Sequence, residues 1–149
     1  MADIAVVWDQ QNARGDWSIA AGGVALGPDI ESAVLVSLFT DRLASPDFVP
    51  TDGTADRRGW WGDTYQSVPI GSRLWQLDRA AKSAAASIPL QARGYCAEAL
   101  QWLITADVAA TVVVDTAWLS PTALGIRVQV TEPNGRLSNF RFSHAWEGV

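Results

Sequence analysis

The chain has 149 residues, 48% of them apolar and 18% charged, with a formal net charge of −5, which suits one globular domain whose core needs neither disulfides nor a structural metal. One cysteine, Cys96, and one histidine, His144, exclude a disulfide framework, a two-thiol redox motif and Cys-rich or multi-histidine metal sites, and point to a reducing compartment. The acidic balance argues against a nucleic acid partner, the longest apolar stretches (such as Val108 to Val114) are far too short to span a bilayer, and no basic, apolar leader opens the chain, so neither a membrane nor secretory export is expected.

Ile4 to Trp8 is a β-rich apolar run that stops at the polar stretch Asp9 to Asp16, and a second short run, Trp17 to Ala20, follows. Two runs about a Gly15-Asp16 turn predict a loose hairpin. Arg14-Gly15-Asp16 spells an adhesion tripeptide, and here it reads as part of that turn. Gly27-Pro28-Asp29 opens a helix: Pro28 suits the first helical position, and Asp29 and Glu31 sit where the positive end of the dipole favours acids. From Ile30 to Phe39 apolar residues occupy most of the circumference, which predicts a central, buried helix.

Between Thr40 and Gly71 the periodicity disappears among three prolines, four glycines and five aspartates. So long a gap is uncommon inside a compact domain, and it predicts a segment that is functional or ordered by a partner. In its middle sits Asp56-Arg57-Arg58-Gly59-Trp60-Trp61-Gly62-Asp63. Helical spacing returns at Gly71 to Leu77, with Ser72 as N-cap and Leu74 and Leu77 on one face. Ala80 to Ala86 continues as helix or linker.

Ser87 and Pro89 mark another helix start, and Tyr95, Ala99, Trp102 and Leu103, flanked by Cys96 and Leu100, form its apolar stripe. The chain ends in strands. Val108 to Trp118 alternates loosely, Leu124, Ile126, Val128 and Val130 alternate cleanly, Glu132-Pro133-Asn134-Gly135 is a turn, and Phe140 and Phe142 continue the pattern. The class is α+β: an N-terminal β-hairpin, then central helices packed on a C-terminal antiparallel three-stranded meander, in one domain spanning residues 1–149 with a long loop at about 41–70.

Catalytic patterns are scarce. There is no Gly-x-Ser-x-Gly, and His144 reads as a strand-edge residue. Gly22-Gly23 lacks the further glycines and the lysine of a phosphate loop. Asp52-x-x-x-Asp56 and Asp9-x-x-Asn12 lack calcium-loop spacing and read as solvated turn acids. Glu31 is the one glutamate that could serve as a raised-pKa acid of a glycosidase pair, but complementing a helix dipole explains it without catalysis. Cys96 reads as a small core hydrophobe. No catalytic residue, metal or cofactor is expected.

What remains is recognition. Ten of the eleven cations are arginine and there are eight tryptophans, the residue types enriched at binding hot spots, although a GC-rich coding bias also raises arginine. Trp8, Trp17, Trp75, Trp102, Trp118 and Trp146 fall on strands or helical faces and are expected mostly in the core. Trp60 and Trp61, beside Arg57 and Arg58, call for a partner; with Arg73 and Trp75 they form the candidate protein-binding set, holding the loop either to its own domain or to another protein. Charge is uneven too: residues 1–65 carry ten acids against four bases, and the remainder six against seven.

Ser32 to Ala44 (SAVLVSLFTDRLA), Asp56 to Asp63 (DRRGWWGD), Gly71 to Leu77 (GSRLWQL) and Ala97 to Ile104 (AEALQWLI), together with Trp8 and Gly15-Asp16-Trp17, resemble a family of tail baseplate proteins of Mu-like phages and prophages over most of the chain. The resemblance implies a structural, non-enzymatic part of a contractile tail: a small wedge protein that binds larger wedge subunits and on which the tail sheath begins to polymerise. It also implies strand addition to an edge of the C-terminal sheet, and a place in the virion baseplate after assembly in the host cytoplasm. Some relatives of this wedge class are associated with lysozyme activity, which leaves a peptidoglycan-cleaving hydrolase using Asp and Glu as the alternative. A regulatory adaptor acting on a host protein is a third class.

Overall fold

The computed structural model describes residues 2–9, 12, 14–20, 23, 24, 26–51 and 53–148; Gly22 of the glycine pair and Asp52 of the acidic spacing lie outside them. The N-terminal part is three antiparallel pairs: β1 (Ala2–Ile4) with β6 (Leu26–Pro28), β2 (Val6–Asp9) with β3 (Arg14–Trp17), and β4 (Ile19–Ala20) with β5 (Gly23–Val24). The hairpin is present, but its reversal comes earlier than Gly15-Asp16. Val6 pairs with Trp17 and Asp9 with Arg14, so the adhesion-like tripeptide belongs to a strand. The Asp9 carboxylate explains the shift, because it accepts both the backbone N–H (3.2 Å) and the side-chain amide (2.6 Å) of Asn12 and builds the turn itself.

Helix α1 (Asp29–Phe39) buries Ile30, Val34, Leu35 and Leu38. Pro28 ends β6 instead of opening the helix. Two serines are buried on α1 as well: Ser32 donates to the Ile4 carbonyl (3.0 Å) and Ser37 to the Ala33 carbonyl (2.7 Å), which satisfies both hydroxyls. Val36 is exposed, so the helix is buried on most sides but not on all.

The predicted helix after Gly71 is a short 3₁₀ turn, Leu74–Arg79, and the alanine-rich stretch forms another, Lys82–Ser87. Helix α2 (Ile88–Thr105) follows with Pro89 in its first turn, as expected. Strands β7 (Thr111–Ser120), β8 (Ala123–Thr131) and β9 (Leu137–Ala145) form an antiparallel sheet in that order. Leu124, Ile126, Val128 and Val130 point inward and join Val34, Leu38, Leu74, Leu77, Ile88, Cys96, Leu100 and Leu103 in one buried cluster. The meander therefore positions the rest: it offers one apolar face on which α2 lies, and α1 and the 3₁₀ turn complete the core. No helix among the described residues is long and apolar enough to cross a membrane.

Four of the six tryptophans expected in the core are wholly or partly buried there: Trp75 and Trp146 fully, Trp8 and Trp118 in part. Trp17 and Trp102 depart from the expectation, at 64% and 36% exposed. Every residue of β3 is exposed, because the hairpin turns only β2 toward the core. Trp102 stands at the margin of the α1–α2 contact, where its indole N–H donates to Ser37 Oγ at 2.8 Å.

Candidate functional site

The long segment between α1 and the Leu74–Arg79 turn is ordered by its own chain. Gly71 pins it: φ is +94° and a Cβ there would collide with the Thr40 carbonyl, so only glycine allows the strand-like crossing. That crossing is a parallel bridge in which Ser72 donates to the Thr40 carbonyl and Arg42 to the Ser72 carbonyl, both at 2.9 Å. Ser72, expected as the N-cap, stands one residue before that position, which Arg73 takes without a side-chain cap; its hydroxyl accepts the Leu74 N–H at 3.2 Å and donates to the Leu38 carbonyl. Further along, Ala44 donates to the Arg57 carbonyl (3.0 Å) and the Arg57 guanidinium returns to the Ala44 carbonyl.

At the centre is Trp75, 3% exposed. The Arg58 and Arg79 guanidiniums lie 5.0 and 5.2 Å from its ring, Phe48 meets it edge-on at 5.5 Å, and its N–H donates to the Arg42 carbonyl at 2.9 Å. The cations are held in turn by loop aspartates, Arg58 by Asp41 (2.8 Å) and Arg79 by Asp56 (3.3 Å). The Arg58 backbone N–H on the Asp56 carboxylate, opposed by desolvation and helped by the Arg79 side chain, holds that carboxyl below its ordinary value. Arg73 makes a bidentate pair with Glu98 of α2 (2.6 and 3.0 Å) and lies 5.5 Å from the Tyr95 ring.

The predicted set therefore divides by position. Arg57, Arg58, Arg73 and Trp75 are engaged within the chain. Trp60 and Trp61 open a short 3₁₀ turn, Trp61–Tyr65. The Trp60 ring folds over Gly62, where any Cβ would strike it, and remains 38% exposed. Trp61 is 77% exposed. Tyr65 and Val68 are exposed beside them, and the surface continues as a groove of about 340 Å³ lined by Trp60, Val68, Pro69, Ile70 and Trp102. Val68, Pro69 and Trp102 also line an adjoining concavity of about 590 Å³ that runs along α2 past Ala97 and Gln101. Tyr65, Val68 and Trp102 stand outside the set expected from the sequence. Two are aromatic or aliphatic side chains in a segment without periodicity, and the third is an indole on a helical stripe expected in the core.

A hollow of about 440 Å³ is bounded by Trp8, Phe39, Asp41, Arg58, Trp75, Asp78 and His144. In it Asp41 meets Arg58, and Asp78 meets His144 at 2.9 Å. His144 lies on edge strand β9, as read from the sequence. Glu31 stands in the first turn of α1 beside Asp29, where it complements the helix dipole. Among the described residues no group of three His, Cys, Asp or Glu side chains could hold a metal. Burial pushes the Cys96 thiol up to about 12, which leaves no thiolate for nucleophilic work.

Residues 30–137, from the first buried residue of α1 to the start of β9, match the family model described as phage protein GP46. Over its full length the chain is 41% identical to the baseplate protein gp46 of Escherichia phage Mu, covering all of both proteins. It is 31% identical to the Mu-like prophage FluMu protein gp46 of Haemophilus influenzae, covering 98% of each.

Proposed function

This chain belongs to the phage protein GP46 family, and on that premise we propose that it is a structural, non-enzymatic component of the virion baseplate of a Mu-like phage or prophage, working as one domain. The observation that carries a binding role is the exposed aromatic surface of Trp60, Trp61, Tyr65 and Val68 beside the groove to Trp102. Rigid aromatics left in water around a concave apolar surface are the ordinary material of a protein interface. Its partners are other baseplate proteins, the larger wedge subunits first. Trp60 and Trp61 carry the contact, while Arg57, Arg58, Arg73 and Trp75 hold the segment in shape. The finer role is to help initiate the tail sheath, with a free edge of the β7–β9 sheet offered for strand addition.

Two experiments test this. Particles from a lysogen lacking the gene should show tails without a complete baseplate, and proteomics of intact tails should find the chain; normal tails without it would refute the reading. The hydrolase alternative requires Glu31-dependent cleavage of peptidoglycan. Purified protein should show none, and loss of a measured activity in Glu31→Gln would reverse that conclusion.

A further inference from the structure

The outer face of the three-stranded sheet is left uncovered by the helices. Alternation places Asp115 and Ala117 of β7, Gly125 and Arg127 of β8, and Arg141 and Ser143 of β9 on it. Across its middle, register sets Asp115 opposite Arg127 and Arg127 opposite Arg141. Asp115 accepts from Arg127 at 3.0 Å. Arg141 is exposed, and its side chain makes no hydrogen bond or ion pair with any described residue. Like charges directly opposed across strands destabilise the pair, and the one carboxylate of the row is taken by Arg127, which leaves Arg141 uncompensated.

The row itself lines a shallow concavity of about 380 Å³, in which Asp115, Arg127 and Arg141 are joined by Ala117, Leu119 and Gly125. Leu119 is exposed and its side chain lies over Gly125, where an added Cβ would come within 2.9 Å of it. A charge arrangement that the chain does not compensate by itself, next to an apolar shelf, is the kind of local inconsistency found at functional surfaces.

We propose that this face receives an aspartate or glutamate of another baseplate protein, its carboxylate set beside Arg141 and its neighbouring apolar side chain on Leu119. That the occupant is a baseplate protein rests on the reading above; that it brings a carboxylate comes from the sheet. A free guanidinium fork matches a carboxylate in two parallel hydrogen bonds. With Arg127 held by Asp115, a single guanidinium is left free, which suits one carboxylate and not a run of phosphates, whose binding needs several cations.

The test uses intact tail particles assembled with an Arg141→Lys chain and treated with a carbodiimide, which joins a lysine amine to a contacting carboxylate as an amide, the carbodiimide taking up the water lost. Background is low because Lys82 is the sole native lysine. The expected product is an amide between the side chain at position 141 and an Asp or Glu of another baseplate protein. An amide only to Asp115, only to a second copy of this chain, or none at position 141 overturns the proposal. In parallel, Arg141→Glu should leave the Tm of the isolated chain unchanged or raised, since it removes the repulsion with Arg127, yet lower incorporation into baseplates by roughly tenfold or more. Normal incorporation of Arg141→Glu, while Trp61→Ala is not incorporated, would refute this site and leave the assembly reading standing. Absence of the wild-type chain from particles would remove the assembly reading itself.

Discussion

Gly71 carries more of the site's geometry than any charged residue in it. With φ at +94° and the Thr40 carbonyl against its Cα, it permits the bridge that brings Arg42 and Ser72 together, and Arg42 in turn accepts the Trp75 indole. Gly71→Ala should destabilise the chain by about 2–4 kcal/mol, read as a fall in the denaturant midpoint, because it combines left-handed backbone strain with a steric clash. Asp56 makes a pH prediction. Its folded pKa lies below the unfolded value of 3.8, so its contribution is present above that value and is lost as pH falls through the lowered folded pKa. Asp56→Asn should flatten the acid limb of stability against pH; an unchanged limb would mean that the Arg58 and Arg79 contacts do not persist in solution. Neither feature was legible in the sequence. A glycine in a loop announces freedom but not which carbonyl approaches it, and the Arg58–Trp75–Arg79 stack joins residues whose meeting depends on the whole segment folding back.

Among elements, the Arg73–Glu98 pair links the segment before the 3₁₀ turn to the middle of α2. Both side chains are partly exposed, so a double-mutant cycle with Arg73→Ala and Glu98→Ala should give a coupling of about 1 kcal/mol, weakened by salt; zero coupling at low salt would deny the link. The meander was readable because period-two alternation and a Pro-Asn-Gly turn specify strands locally, and Gly135, at φ +85°, closes that turn as expected. Helix α2 was readable from Ser87, Pro89 and the stripe that follows. The 3₁₀ turns were not, since their spacing over a few residues matches that of an α-helix. The hairpin reverses before Gly15-Asp16, although that pair has turn composition, because the Asp9 to Asn12 bonds decide the register.

At the scale of the whole molecule, the uneven charge of the two halves is a division of labour. Loop aspartates from the acidic half, Asp41 and Asp56, hold Arg58 and Arg79 over Trp75, and Arg79 comes from the other half of the chain. The candidate set was found by composition and motif, but its division into internal braces and outward aromatics needed three dimensions, as did the recruitment of Tyr65, Val68 and Trp102 to the same surface. Trp61 offers the most direct test of the central claim, that this surface binds a baseplate partner, because at 77% exposure it can be truncated without opening the core. The measurement is co-purification of the neighbouring baseplate proteins with wild-type and Trp61→Ala chains, with Tm followed on each isolated chain. The account predicts an unchanged Tm and a loss of at least about tenfold in partner recovery; full recovery with Trp61→Ala, at the same Tm, would contradict it.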